Sequence, residues 1–133
     1  MTVAVLDASA FLAYLRDENG AERVVDALGE GCVISAANWA EVLTKVADLG
    51  QDPAAFEDQI ADEGLLGGAL EVVALEPGDA VTIARLRSGT RSAGLSLDDR
   101  ACLALALRRG LPALTADHAW TRLDLDVNVQ AVR

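Results

Sequence analysis

The chain has 133 residues, 52% of them hydrophobic, which is ample for one packed core and predicts a single domain over residues 1–133. No apolar stretch approaches the roughly 18 residues that a membrane span needs, and the N-terminus lacks the basic start of a secretory signal, so a cytoplasmic protein is expected. The net charge of −10 argues against a general nucleic-acid-binding protein, because phosphate binding normally requires a basic surface.

Short apolar strands alternate with helices along the chain. Glycine and proline mark several boundaries: Gly50 follows one helix, Pro53 begins the next, and Gly110 ends a later one. This alternation predicts an α/β fold with a short central parallel β-sheet flanked by helices on both faces. The predicted elements are a strand at 3–6, helices at 9–16 and 21–28, a strand at 32–35, helices at 36–49 and 53–66, a strand at 70–75, helices at 77–92 and 97–109, a strand at 112–115, a helix at 117–123 and a strand at 127–132.

Carboxylates stand where several of these strands end or helices begin. Asp7 and Asp117 lie just past predicted strands, Asp98 and Asp99 lie at the start of a helix, and Glu41 lies within another. In parallel sheets the ligand site lies beyond the carboxyl ends of the strands, at a topological switch point. Acidic groups gathered there need a cation to relieve their repulsion, and hard cations such as Mg²⁺ or Mn²⁺ suit oxygen ligands. The pattern therefore predicts a metal-dependent phosphodiesterase that uses a metal-activated water, with a carboxylate taking its proton.

Each acid also has a purely structural interpretation. An aspartate near a helix start can cap that helix, which applies to Asp7, Asp117 and the pair 98–99. Glu41 could instead lie on a solvated stripe and pair with Lys45 at i,i+4 spacing. That stripe would consist of Asn38, Glu41, Lys45 and Asp48.

Several neighbouring side chains are candidates for supporting roles. The hydroxyls of Ser9, Ser96 and Thr115 lie close enough in sequence to orient ligands or water. Arg100 could contact phosphate or steady a ligand carboxylate, with a solvated role as the alternative. His118, the sole histidine, could bind metal or transfer protons, but an exposed position at a helix start is the simpler interpretation.

The acidic segments closely resemble the four acidic motifs of the PIN-domain superfamily, in particular its VapC-like branch, the toxin half of bacterial toxin–antitoxin pairs. The resemblance covers nearly the whole chain, in order and with the expected spacing. Carried over by position, it implies that the metal ligands are Asp7, Glu41, Asp99 and Asp117. The segments are Val5-Leu6-Asp7-Ala8-Ser9-Ala10, Asn38-Trp39-Ala40-Glu41-Val42, Leu95-Ser96-Leu97-Asp98-Asp99-Arg100-Ala101-Cys102-Leu103-Ala104-Leu105-Ala106 and Leu114-Thr115-Ala116-Asp117.

The family implies an endoribonuclease that depends on Mg²⁺ or Mn²⁺ and cleaves structured RNA such as tRNA or rRNA. It further implies a homodimer whose activity is blocked by a cognate VapB-like antitoxin. The apolar helices at 9–16 and 36–49 could leave a groove for a partner helix, which is one recurring mode of recognition.

Two positions depart from the family pattern. The residue before Asp99 is commonly small, whereas here it is Asp98, so both remain candidates, although the following Arg-Ala-Cys-Leu-Ala favours Asp99. Some PIN nucleases carry a further acid where this chain has Trp120, so the number of metal ions, one or two, stays open.

Charge and cysteine placement refine these expectations. Residues 1–80 contain 16 acids and 3 bases, whereas residues 81–133 contain 5 acids and 8 bases. Cys32 and Cys102 lie in apolar runs without a CxxC partner or a histidine at zinc spacing, so both are expected to be buried. A phosphate-facing surface should draw on Arg85, Arg87, Arg91, Arg100, Arg108 and Arg109.

Two other function classes fit parts of the sequence. Asp7 could be the nucleophile of a phosphotransfer enzyme of the haloacid-dehalogenase or receiver type. The phosphatases need a second aspartate where Ser9 stands, and both types need a lysine near a strand end, whereas the only lysine, Lys45, is mid-helix. A non-catalytic PIN-like binding module would bind metal without cleaving RNA.

Overall fold

The computed structural model describes residues 1–133, and it confirms the α/β class with a central parallel sheet. All four strand pairings are parallel, in the spatial order β3-β2-β1-β4-β5. None of the helices combines the length and the apolar composition that a membrane crossing requires. The strands are β1 (Ala4–Leu6), β2 (Cys32–Ser35), β3 (Leu70–Val73), β4 (Ala113–Thr115) and β5 (Val129–Ala131), and the helices are α1 (Ala8–Leu15), α2 (Ala21–Glu30), α3 (Ala36–Asp48), α4 (Pro53–Asp62), α5 (Pro77–Thr90) and α6 (Leu97–Arg109), with 3₁₀ turns at Arg91–Ala93 and His118–Arg122.

Helices cover both faces of the sheet, as predicted. Successive side chains of a strand point to opposite faces, so Leu6 and Ile34 pack with helices α1 to α4 in one core. Val5 and Val33 point the other way and pack with α6 in a second core. Helix α5 lies against α6. Because the central strands are buried on both faces, they are continuously apolar rather than alternating.

The strand order creates a switch point between β1 and β4. From β1 the chain proceeds to β2 and β3 on one side, and then returns to β4 and β5 on the other. Crossovers that leave in opposite directions open a crevice beyond the carboxyl ends of the two adjacent strands. Asp7 follows β1 directly and Asp117 lies two residues past β4, so both stand at this crevice.

The predicted boundaries differ from the structure mainly where glycine reverses the backbone. The helix predicted at 53–66 ends at Asp62, because Gly64 adopts a left-handed conformation with φ of +83° and terminates it. Leu66 then forms a bridge with Leu70. The helix predicted at 117–123 is a 3₁₀ turn over His118–Arg122.

Both cysteines are buried and unpaired, as predicted. Burial raises the pKa of the Cys32 thiol to about 11, and burial likewise raises the pKa of Cys102 well above its usual range. The protonated thiol is a poor nucleophile and metal ligand, so neither cysteine takes part in the chemistry proposed below.

Candidate functional site

Asp7 occupies the most constrained position in the crevice. Its side chain is 2% exposed and caps α1 by accepting a hydrogen bond from the Ala10 N–H at 2.7 Å. The Ser9 hydroxyl donates at 2.8 Å to Oδ1, and the Thr115 hydroxyl donates at 2.6 Å to Oδ2. Burial raises the pKa of Asp7 to about 6, with a smaller contribution from the charge of Asp99, while these three hydrogen bonds act in the opposite direction.

The hydroxyls of Thr115 and Ser9 connect the ends of β1 and β4. Thr115 donates to Asp7 and accepts from the Asp117 N–H at 3.0 Å. Ser9 donates to Asp7 and accepts from the Ala116 N–H at 2.9 Å. Each hydroxyl therefore donates its proton to the Asp7 carboxylate and accepts a backbone N–H from the segment that follows β4. The two aspartates are thereby held in a fixed relation across the switch point.

Asp99 reaches the crevice from the first turn of α6. Ser96 is the N-cap of this helix, and the Ser96 and Asp99 side chains form a reciprocal capping box, with contacts of 2.8 Å and 3.1 Å. Burial raises the pKa of Asp99, and the charges of Asp117 and Asp98 raise it further, whereas its bonds to Ser96 lower it. Ser96 rather than Asp98 or Asp99 is thus the N-cap, and Asp99 contributes to the cap by accepting from the Ser96 N–H.

Glu41 is half-buried on α3 and faces the start of α6. Desolvation raises the pKa of Glu41, the charges of Asp98 and Asp99 raise it further, and Lys45 lowers it. Glu41 and Lys45 do not form a direct ion pair, because both ion pairs of the structure are made by Arg108. The effect of Lys45 on Glu41 is therefore limited to its charge. Glu41 is therefore oriented toward the acids rather than isolated on a solvated stripe.

Asp99 is the carboxylate that couples the others. Its charge adds to the desolvation that raises the pKa of Asp7 and of Glu41, and the charge of Asp117 acts in turn on Asp99. No three acidic, histidine or cysteine side chains lie close enough together in this structure to hold a metal ion between them. The site is a set of neighbouring, mutually repelling carboxylates from four separate segments of the chain.

The donor set fits a hard divalent cation. It consists of carboxylate oxygens, with no buried thiolate or histidine facing it, and no basic side chain neutralises it by an ion pair. Burial is the main cause of the raised pKa values of Asp7, Glu41 and Asp99, and the repulsion between the acids, which a divalent ion would relieve, adds to it. The residues that the sequence suggests as ligands, Asp7, Glu41, Asp99 and Asp117, all supply carboxylate oxygens, the donor type that such a cation prefers.

Arg100 and Arg108 are engaged within the fold, whereas His118 has the exposed position that the sequence analysis favoured. Arg100 is 8% exposed, and its Nη1 donates to the Ile83 carbonyl at 2.9 Å, so it ties α6 to α5 instead of facing solvent. Arg108 forms ion pairs with Glu76 and Asp79 at 3.1 Å. His118 is exposed, and its ring lies 3.2 Å from the Thr121 hydroxyl.

The sequence interpretation missed Asn38, which it placed on a solvated stripe. Asn38 is fully buried, and its side-chain amide donates to the Asp98 carbonyl at 3.0 Å. The N-cap residue Ser35 donates to its Oδ1. An amide three residues into a helix, just after a serine cap, was the only sequence signal that could have indicated this position.

Comparison with known proteins identifies the family. Residues 4–125 match the family model described as PIN domain. The chain belongs to the PIN domain family. The match spans all four acidic segments and both strands that flank the switch point. A comparison with curated proteins gave no match.

Solved structures show the same PIN fold at low sequence identity. A toxin–antitoxin complex from Klebsiella pneumoniae has a TM-score of 0.72 at 18% identity over 98% of each chain. DNA-bound VapBC from Salmonella typhimurium has a TM-score of 0.69 at 16% identity over 100% of each chain. FitAcB from Neisseria gonorrhoeae has a TM-score of 0.68 at 24% identity over 96% of each chain. At these identities the likeness establishes the shared fold.

Proposed function

We propose that this PIN domain protein is a metal-dependent endoribonuclease and the VapC-like toxin of a type II toxin–antitoxin pair. Its ligands for Mg²⁺ or Mn²⁺ would be Asp7, Glu41, Asp99 and Asp117. The observation that carries the proposal is the placement of Asp7 and Asp117 at the switch point between β1 and β4, where the Thr115 hydroxyl donates to the Asp7 side chain and accepts from the Asp117 N–H. The toxin–antitoxin complexes among the structural neighbours support the assignment.

The four acids differ in what they can do. When bound, a divalent cation supplies positive charge for the scissile phosphate and lowers the pKa of a coordinated water. Asp7 is fixed by three donors and is suited to orienting the ion. Glu41 is more exposed than Asp7, and burial and the charges of Asp98 and Asp99 raise its pKa, so it is the better suited of the two to accept a proton from the attacking water.

Structured RNA such as tRNA or rRNA is the proposed substrate, which places the activity in the cytoplasm. The acidic protein needs local positive charge to bind phosphate. Arg85, Arg87, Arg91 and Arg109 are exposed, whereas Arg100 and Arg108 are engaged within the fold. The first four arginines are therefore the proposed phosphate contacts.

The aspartyl-phosphate alternative is disfavoured by the surroundings of Asp7. A nucleophilic carboxylate must present a free oxygen to the substrate, but both oxygens of Asp7 accept hydrogen bonds and the side chain is buried. Lys45 is exposed on α3 and forms no bond near a strand end. The binding-module alternative keeps the same geometry and differs only in the absence of cleavage.

The decisive experiment is cleavage of total bacterial RNA by protein freed of co-purified partners. We expect discrete cuts with Mg²⁺ or Mn²⁺, mapped by primer extension, that disappear with EDTA and in an Asp7→Asn variant. Well-folded protein that binds Mn²⁺ but leaves every RNA intact would contradict the nuclease proposal and favour the binding module.

A groove between α1 and α3 supports an antitoxin partner. Its volume is about 210 Å³, and five of its eight lining residues are hydrophobic. Leu15 and Leu49 are 39% and 78% exposed there, and the basic side chains of Arg16 and Lys45 also line it. An amphipathic helix with acidic flanks fits this surface, because its apolar face would cover the leucines and its acids would meet the two bases.

The groove proposal predicts that Leu49→Glu separates toxicity from neutralisation. Leu49 is far exposed, so the variant should fold and arrest bacterial growth like the wild type. The partner can be selected from the source genome as a protein that restores growth to cells expressing the wild type. The same partner should fail to protect cells that express Leu49→Glu. Equal protection of both would show that the partner binds elsewhere.

A homodimer is also proposed, with its contact near the start of α6. Leu75 and Leu97 line an apolar cavity of about 310 Å³ and are 45% and 63% exposed. Val81, which follows the lining residue Ala80, is 51% exposed. Apolar side chains concentrated in this way typically mark an interface. A sedimentation mass of one chain at micromolar concentration would contradict the dimer.

A further inference from the structure

Asn38 links the two helices that carry Glu41 and Asp99. Its side chain is fully buried, and its Nδ2 donates at 3.0 Å to the carbonyl of Asp98 in the first turn of α6. Its Oδ1 accepts from the Ser35 hydroxyl, and the same hydroxyl accepts from the Asn38 backbone N–H at 3.1 Å. Since the Asp98 carbonyl can only accept, the amide orientation is determined by both of its partners.

This hydrogen bond lies next to two of the proposed ligands. Asn38 and Glu41 are three residues apart on α3, so they are neighbours on one face of the helix. The carbonyl that Asn38 binds belongs to the residue directly before Asp99. One buried hydrogen bond therefore joins α3 to α6. On α6 it ends one residue before Asp99, and on α3 it begins about one helical turn before Glu41.

We propose that Asn38 is a positioning residue that sets the separation of Glu41 from Asp98 and Asp99 and thereby the affinity of the site for a divalent cation. The inference rests on the proposed metal-dependent function. Groups that orient metal ligands typically change affinity 10–100-fold when they are removed. Asn38 acts here through the backbone of α6 rather than on a ligand side chain.

The test compares Mn²⁺ affinity by titration calorimetry for the wild type, Asn38→Leu and Trp39→Phe. Leucine has the same number and branching of side-chain heavy atoms as asparagine, although its methyl groups are bulkier, and it cannot donate to the Asp98 carbonyl. Trp39→Phe is the matched control, because it removes a 2.7 Å hydrogen bond to Glu57 from the same helix without touching α6. Thermal unfolding in EDTA verifies that each variant is folded. We expect Asn38→Leu to bind Mn²⁺ about 10–100-fold more weakly, and Trp39→Phe to bind like the wild type.

The outcomes separate this inference from the function on which it rests. A wild type without Mn²⁺ binding would refute the proposed metal site itself. Unchanged affinity in Asn38→Leu, or an equal loss in Trp39→Phe, would refute the positioning role alone. Should Asn38→Leu fail to fold, the smaller Asn38→Ala also removes the donor to the Asp98 carbonyl. An unchanged Mn²⁺ affinity in Asn38→Ala would then overturn the inference.

Discussion

Asp7→Asn is expected to make the metal-free protein more stable at pH 8 while abolishing RNA cleavage. The wild type carries a buried carboxylate whose pKa is raised from 3.8 to about 6, first by burial and then by the charge of Asp99. At about 1.4 kcal/mol for each pKa unit, ionising Asp7 costs the folded state about 3 kcal/mol. The amide of the variant carries no charge, so the folded variant avoids this cost. The net gain in stability is smaller than the cost avoided, because the amide makes weaker hydrogen bonds than the carboxylate does.

The pH dependence gives the sign of this effect. Between pH 3.8 and about 6 the folded state binds more protons at Asp7 than the unfolded state does. The free energy of unfolding of the wild type in EDTA therefore falls as the pH rises through this window. Burial also raises the pKa of Asp99 and of Glu41, which acts in the same direction. The free energy of unfolding of Asp7→Asn should fall less steeply than that of the wild type as the pH rises.

Urea denaturation in EDTA at pH 4, 6 and 8 measures the difference. Asp52→Asn is the control, because Asp52 caps α4 by accepting from the Ala55 N–H at 2.9 Å but is exposed to solvent. We expect the control to change stability slightly and equally at each pH. If Asp7→Asn were less stable than the wild type at pH 8 by the same amount as at pH 4, the buried charge would not be the cause.

Thr115→Val is expected to weaken Mn²⁺ binding about 10–100-fold, because it removes a group that orients Asp7. The hydroxyl of Thr115 is fully buried, donates to Asp7 at 2.6 Å and accepts from the Asp117 N–H at 3.0 Å. Valine has nearly the same shape but makes neither bond. Loss of a hydrogen bond to a buried charge should also lower the free energy of unfolding by about 1.5–3 kcal/mol.

Two control variants test whether this loss is specific. Thr90 is equally buried on α5, and its hydroxyl donates to the Leu86 carbonyl at 2.7 Å, so Thr90→Val should lower stability and leave Mn²⁺ affinity unchanged. Thr115→Ser keeps the hydroxyl and should retain Mn²⁺ affinity. Weak binding by Thr115→Ser would contradict the role of the hydroxyl and point to the lost methyl group.

Local sequence signals were sufficient for most elements of the fold. The strand over 32–35 and the helix over 97–109 agree with β2 and α6 at both ends, because an unbroken apolar run and a Ser96 cap with Gly110 after the helix leave few alternatives. The prediction of α4 was too long, because Leu65 and Leu66 look equally suited to a helix. Only the backbone reversal at Gly64 and the packing of the leucines decided its end.

The candidate site illustrates what a single position can and cannot reveal. For Asp7 and Asp99, capping and a place among other acids looked like competing interpretations, yet both side chains take part in caps and both are affected by the charge of another acid. The position after a strand and before a helix is the place where a side chain can cap the helix and still face the crevice. Asn38 and Arg100, in contrast, are buried, although a solvated position was one interpretation left open for each, because their burial depends on the packing of α3, α5 and α6.

The sequence by itself determined the parallel α/β class, the four acidic segments and the elements that carry them, because helix caps, apolar runs and glycine stops act within a few residues. The tertiary structure decided the strand order, the switch point between β1 and β4, and the coupling of Asp99 to Asp7, Glu41 and Asp117. These depend on contacts between residues far apart in the chain. Burial of Asp7 and the bonds from Thr115 and Asn38 arise only when distant segments pack together, and no local pattern records them.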